Sequence, residues 1–174
     1  VDVNNIFTDF DADPYDPASY DFAITDEYLR VIDFAGTKTY YRLGSKIEHW
    51  CKKYNTLPPK DFNKWAVICE HIIRHYTEGW ANGYKLDIEY WEIWNEPDLS
   101  REEDTDKKTW GGTRAQFFDF FETAAKHLKA CFPHLKIGGP ALAYDMVWCE
   151  EFLSEMRKRS VEMDFFSWHI YCTE

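Results

Sequence analysis

Asp87-Ile88-Glu89-Tyr90-Trp91-Glu92-Ile93-Trp94-Asn95-Glu96-Pro97 is the stretch on which the fold turns. Residues 87–94 mix aromatic and β-branched side chains, the composition of a strand. Neighbours alternate between opposite faces until Pro97, which has no N–H to give a ladder and ends the strand. Pro97 also biases Glu96 toward extended backbone. A carboxylate is thereby fixed at a strand mouth beside an amide and several aromatic rings. Desolvation in such a place raises a carboxyl pKa, as a general acid near neutral pH requires.

Outward from this strand the chain alternates. Upstream, Pro58-Pro59 precedes a strong helix over about 61–78, with Trp65, Ile68, Cys69, Ile72 and Tyr76 at helical spacing and Gly79 as its stop. Before it, residues 38–43 read as a strand ending at Gly44. Before that strand comes a short helix capped by Thr25, with Tyr28, Leu29, Ile32 and Val31 as its apolar stripe and Gly36 as its end. Downstream of a charged loop over 97–112, Thr113 and Gln116 form a capping box. The helix it opens has Phe117, Phe120, Phe121, Ala124 and Leu128 as its core face. Residues 135–139 form a strand, 147–159 a helix and 163–171 a last strand. Strands alternating with helices imply βαβ units and a parallel sheet, either doubly wound or closed as a (β/α)8 barrel. Neither dinucleotide nor P-loop glycine spacing occurs, so the barrel is favoured.

The 174 residues carry a net charge of −11 and a pI of about 5.0. That balance opposes a phosphate-rich partner, so nucleic acid is not expected. A hydrophobic share of 45% with mean hydropathy −0.56 suits a soluble protein without a membrane association. Val1 is no initiator, so the natural beginning is expected to lie upstream. Five scattered cysteines, without a C-x-x-C pair, read mostly as buried thiols; free thiols mildly favour a cytoplasmic setting, with the compartment left open. Asp9, Asp11 and Asp13 resemble a calcium loop, but Pro14 and Tyr20 stand where Gly and Glu are needed.

Function in either architecture sits at the carboxyl ends of the strands. Those ends hold Arg42, Asn95-Glu96, Gly139-Pro140 and His169-Ile170-Tyr171. Trp94-Asn95-Glu96-Pro97 resembles the W-N-E-P signature of clan A glycoside hydrolases. The phrase YWEIWNEPD, followed by IGGPAL and SWHIY, resembles glycoside hydrolase family 39, which includes β-xylosidases and α-L-iduronidases. The resemblance implies an α/β fold, a (β/α)8 barrel present here as roughly strands two to six, with residues 1–174 as part of one catalytic domain. It implies that Glu96, ending the fourth barrel strand, is the acid/base and that Asn95 bonds the sugar 2-hydroxyl. His169 and Tyr171, ending the sixth, would line the sugar subsite, and Arg42, ending the third, would help order the cluster. The expected chemistry is retaining hydrolysis of a small glycoside, with no cofactor and no metal. Sugar, anomer and oligomeric state stay open.

The family nucleophile is a Glu ending the seventh strand, and the chain offers no such residue; Glu174 falls in the loop leaving the sixth. The first, seventh and eighth strands are expected to be missing, so the chain alone is expected to be inactive. A complete barrel typically takes about 250 residues. Glu92, two pleat steps deeper than Glu96, reads as a partnered structural carboxylate rather than the missing nucleophile. Trp50, Trp91, Trp94, Trp110 and Trp168 invite sugar stacking, with Trp110 the foremost candidate. The alternatives are a non-catalytic carbohydrate-binding or structural barrel and, at a distance, a zinc hydrolase using His71 and His75, four apart on a helix. The zinc pattern is defective, because Ile72 stands where the catalytic Glu would follow.

Overall fold

The computed structural model describes residues 2–49, 52 and 55–171. A single turn of helix, α1 (Val3–Ile6), is followed by α2 (Ala23–Phe34), β1 (Tyr40–Leu43), α3 (Phe62–Thr77), β2 (Tyr90–Ile93), α4 (Arg114–Cys131), β3 (Lys136–Leu142), α5 (Met146–Lys158) and β4 (Phe165–Trp168). The four strands form one sheet in chain order, every pair parallel, with a helix between each strand and the next. Asp2 adds a parallel bridge to Gly44, outside β1. The alternation read from the sequence is therefore the alternation of the fold.

The helices form where the apolar spacing and the caps place them. Asp61 caps α3 by accepting from Lys64 N at 3.0 Å, and its Trp65, Ile68, Cys69, Ile72 and Tyr76 are buried on the sheet. Thr113 and Gln116 close both halves of the capping box on α4. Phe117, Phe120, Phe121, Ala124 and Leu128 are fully buried beneath it. Aromatic rings do most of the filling: Trp65 meets Phe120 at 4.6 Å and Phe121 meets Phe152 at 4.9 Å between centroids. Edge-on pairs of this kind add to their buried area.

Three expectations change. Thr25 does not cap α2: the helix already starts at Ala23, and Thr25 is buried in its first turn, while Asp21 accepts from Ala23 N at 3.1 Å. Leu29 faces the core, but Tyr28 and Val31 are exposed, because Thr25, Leu29 and Ile32 supply the buried line. The third strand runs past Gly139 to Leu142, with a register shift and a cis Gly139–Pro140 peptide. The aspartates near the N-terminus serve as local turn caps: Asp9, Asp13 and Asp16 each accept from the backbone N–H two residues on, at 2.9–3.0 Å.

Candidate active site

Two close approaches shape the mouth of the sheet. A Cβ on Gly44 would lie 2.6 Å from the Trp94 Cα, so glycine lets β1 and β2 converge, and Trp94 N bonds Leu43 O at 2.7 Å. Gly139, at φ 142°, leaves no room for a side chain against Ile93 O, which would be 2.7 Å away. The strand ends are thus drawn together over Asn95 and Glu96.

Glu96 does not take the extended backbone that Pro97 favours. Its φ is 47°, a left-handed conformation that costs of order 1–3 kcal/mol outside glycine. Surrounding bonds hold it there: its N–H donates to Ala141 O at 3.0 Å, and its carbonyl accepts from Leu99 N at 3.1 Å and from the buried Thr109 hydroxyl. Backbone strain of this kind, over-determined by its neighbours, concentrates at functional sites.

The Glu96 side chain is completely buried. Its Oε1 accepts from both the Tyr171 hydroxyl and His169 Nδ1, while Oε2 has no partner. Arg42 Nη2 lies 3.2 Å from His169 Nε2. A guanidinium only donates, so Nε2 is the accepting nitrogen and the ring proton sits on Nδ1, facing Glu96. Arg42 Nε in turn pairs with the buried Glu92, whose other oxygen accepts from the Tyr40 hydroxyl at 3.0 Å. The chain Glu92–Arg42–His169–Glu96 therefore crosses the mouth of the sheet and sets the tautomer at its end. The Tyr171 hydroxyl, bonded to Glu96 and partly desolvated beside its charge, has its pKa pushed up to about 12.

Four of the residues singled out from sequence, Glu96, His169, Tyr171 and Arg42, come together in this cluster. Asn95 is buried beside Glu96 in the chain, with its Oδ1 unpartnered. Trp110 does not join them. It is 3% exposed, packs on Trp94 and Phe117 at 5.3 and 5.1 Å, and donates Nε1 to Thr113 O at 2.9 Å. Its rings are spent on the core, leaving no free face for a sugar. Trp91 and Trp94 are likewise buried, Trp168 is exposed, and Trp50 and Glu174 lie outside the described residues.

His71 and His75 do not converge on a metal either. His71 Nδ1 donates to Val67 O at 2.8 Å. His75 stacks on Phe22 with Nδ1 on Trp80 O and Nε2 on Asp26, so both its nitrogens face acceptors. An open groove of about 1030 Å³ between α4, α5 and the loop over 97–112 is lined by charged side chains such as Glu102, Arg114 and Glu151.

Asp98, beside the cluster, is a structural residue that the sequence reading passed over. It is buried, and its two oxygens accept from Ala143, Tyr144 and Asp145 N at 2.8, 2.9 and 2.9 Å, tying the loop after β3 to the end of β2. Its place directly after Pro97 is a signal, but its partners lie some 45 residues away.

The family model of glycosyl hydrolases family 39 matches residues 4–174. The chain belongs to that family. It is 30% identical over 171 residues to a β-xylosidase of Geobacillus stearothermophilus, covering 92% of this chain and 32% of the relative. A β-xylosidase of Caldicellulosiruptor saccharolyticus is 32% identical over 142 residues, covering 80% and 25%. The chain thus spans about a third or less of the length of these relatives. A solved glucosidase from Croceicoccus marinus superposes with TM-score 0.81 at 34% identity, covering 94% of this chain and 33% of that one. With a family-39 fold of this kind, the four parallel strands and their helices are part of a (β/α)8 barrel.

Proposed function

We propose that the protein is a retaining glycosidase of small glycosides, with Glu96 as its acid/base. The observation that carries this reading is the asymmetry of one carboxyl group: Oε1 holds two donors and Oε2 holds none. Both donors leave Oε1 only an accepting role, so a proton on the neutral acid belongs on Oε2. From there it passes to the glycosidic oxygen as the bond to the anomeric carbon breaks, while a second carboxylate attacks that carbon from the other side. The resulting carboxylate on Glu96 takes a proton from water in the second step, and His169 and Tyr171 stabilise its charge meanwhile. The second carboxylate would stand about 5–5.5 Å from Glu96; none of the described residues is placed in that role.

Oε2 is closed to solvent as it stands, so the side chains covering it must shift when substrate binds. Asn95, with a buried and unpartnered amide oxygen, is suited to accept from a sugar hydroxyl. The β-xylosidase and glucosidase relatives support a xyloside or glucoside as substrate. In the full-length protein, Glu96→Gln should depress turnover of alkyl glycosides, whose leaving groups need protonation, far more than the first step on activated aryl glycosides. Equal loss on both would show that Glu96 is not the acid.

A further inference from the structure

Away from the mouth of the sheet, α3 and α4 lie side by side and bring three metal-ligating side chains together. Glu70 stands on α3, and His127 and Cys131 stand one turn apart on α4. Glu70 Oε2 is 2.7 Å from His127 Nε2, which is 3.7 Å from Cys131 Sγ. One ligand atom from each lies within 4.8 Å of the others, and no other such group occurs among the described residues. None of the three takes part in the glycosidase chemistry proposed above.

We propose that Glu70, His127 and Cys131 form a zinc site that clamps α3 to α4. Sulfur, imidazole and carboxylate together are a donor set for Zn²⁺, whereas Ca²⁺ and Mg²⁺ take oxygen alone. Bonds of 2.0–2.3 Å at tetrahedral angles place two ligands roughly 3.3–3.6 Å apart. The sulfur–nitrogen pair is already near that spacing, and the Glu70–His127 pair opens by about 0.6 Å to admit the ion. Thiolate and carboxylate together balance the ion's two positive charges. On binding, the Cys131 thiol proton leaves to solvent and the His127 proton moves from Nε2 to Nδ1 through solvent.

Arg74 supports the arrangement rather than occupying it. Its Nε holds Glu70 Oε1 at 2.8 Å, and its Nη1 holds Glu78 at 2.6 Å. Glu70 Oε2 is thereby left on the His127 side, with an outer partner of the kind that orients metal-binding carboxylates. All three ligands are partly accessible, so an ion reaches them from solvent and water completes the fourth position.

The test uses the full-length protein stripped by a chelator and titrated with Co²⁺ alone, then with Zn²⁺. The expected result is a near-ultraviolet thiolate-to-cobalt charge-transfer band that saturates at one ion per chain and is erased by Zn²⁺. Cys131→Ser should abolish the band. Glu70→Gln, which removes a charge but keeps the shape, should weaken Co²⁺ binding about tenfold or more while leaving the fold intact. Zinc should raise the melting temperature of the unsubstituted protein and not of Cys131→Ser. Absence of the band at saturating cobalt, or its survival in Cys131→Ser, overturns the site. Cobalt uptake equal in Glu70→Gln and the unsubstituted protein overturns it as well, even if Cys131→Ser fails to fold.

Discussion

At the end of β2, Glu96 is held through its backbone as well as its side chain, whereas His169 and Tyr171 reach the same carboxylate from the segment after β4. The Glu96 N–H and C=O both have protein partners, and the residue is fully buried. After β4, among the described residues, His169 N bonds Leu142 O at 2.7 Å, and the side chains of His169 and Tyr171 bond Glu96. A central strand with neighbours on both sides can fix a carboxylate in a costly conformation. After β4, side-chain bonds to Glu96 and Arg42 place His169 and Tyr171. Glu96 is therefore set by the sheet, and its side-chain partners are set by Arg42 and by Glu96 itself.

Four changes would break or sharpen this contrast. The largest effect is expected from Glu96→Gln, with kcat on poor leaving groups falling about 10²–10⁴-fold in steady-state assays. Next, Asp98→Ala removes the acceptor of three backbone N–H groups and should cost about 2 kcal/mol in urea unfolding, because the buried Ala143 N–H and two partly buried donors lose their partner. A loss below about 0.5 kcal/mol would show that β3's loop does not depend on the end of β2. Third, Arg42→Met leaves the buried Glu92 with Tyr40 alone and should cost about 2–3 kcal/mol, less than for a wholly buried pair because Arg42 is partly exposed. It should also free His169 to change tautomer, so the pH profile of kcat/KM should shift in Arg42→Met and recover in part in Arg42→Lys. An unchanged profile would show that Arg42 is structural only.

The smallest effect belongs to Tyr171→Phe, after β4. The phenol donates to Glu96, so its folded pKa of about 12 stands above the ordinary value of 10.0. Its contribution is complete below about pH 10 and is lost as pH rises through about 12. Ultraviolet titration of the difference between the unsubstituted protein and Tyr171→Phe should show one late-ionising tyrosine. In Glu96→Gln the delay should largely vanish, and its persistence there would place the cause elsewhere.

The legible parts were those carried by short-range pattern. The 3.6-residue spacing of Trp65, Ile68, Ile72 and Tyr76 and the Thr113–Gln116 capping box announce α3 and α4 because one helix face and one turn suffice to encode them. Thr25 misled because a capping residue type was read without knowing that Asp21 already serves Ala23. Trp110 misled for a related reason. A loop tryptophan has the same letters whether its ring is free or, as here, enclosed by Trp94, Phe117 and Phe120.

By itself the sequence determined the order of strands and helices, the parallel sheet it implies, and the family, whose W-N-E-P run puts Glu96 at a strand end. Tertiary structure alone decided which groups surround that carboxylate. Arg42 and His169 are 127 residues apart, and Tyr171 and Glu96 are 75. Proton placement on His169, the free oxygen of Glu96 and the meeting of Glu70 with His127 across two helices all depend on such distances. Hydrogen bonds act over about 3 Å in space, and the spacing of residues along a chain does not encode which of them a fold will bring that close.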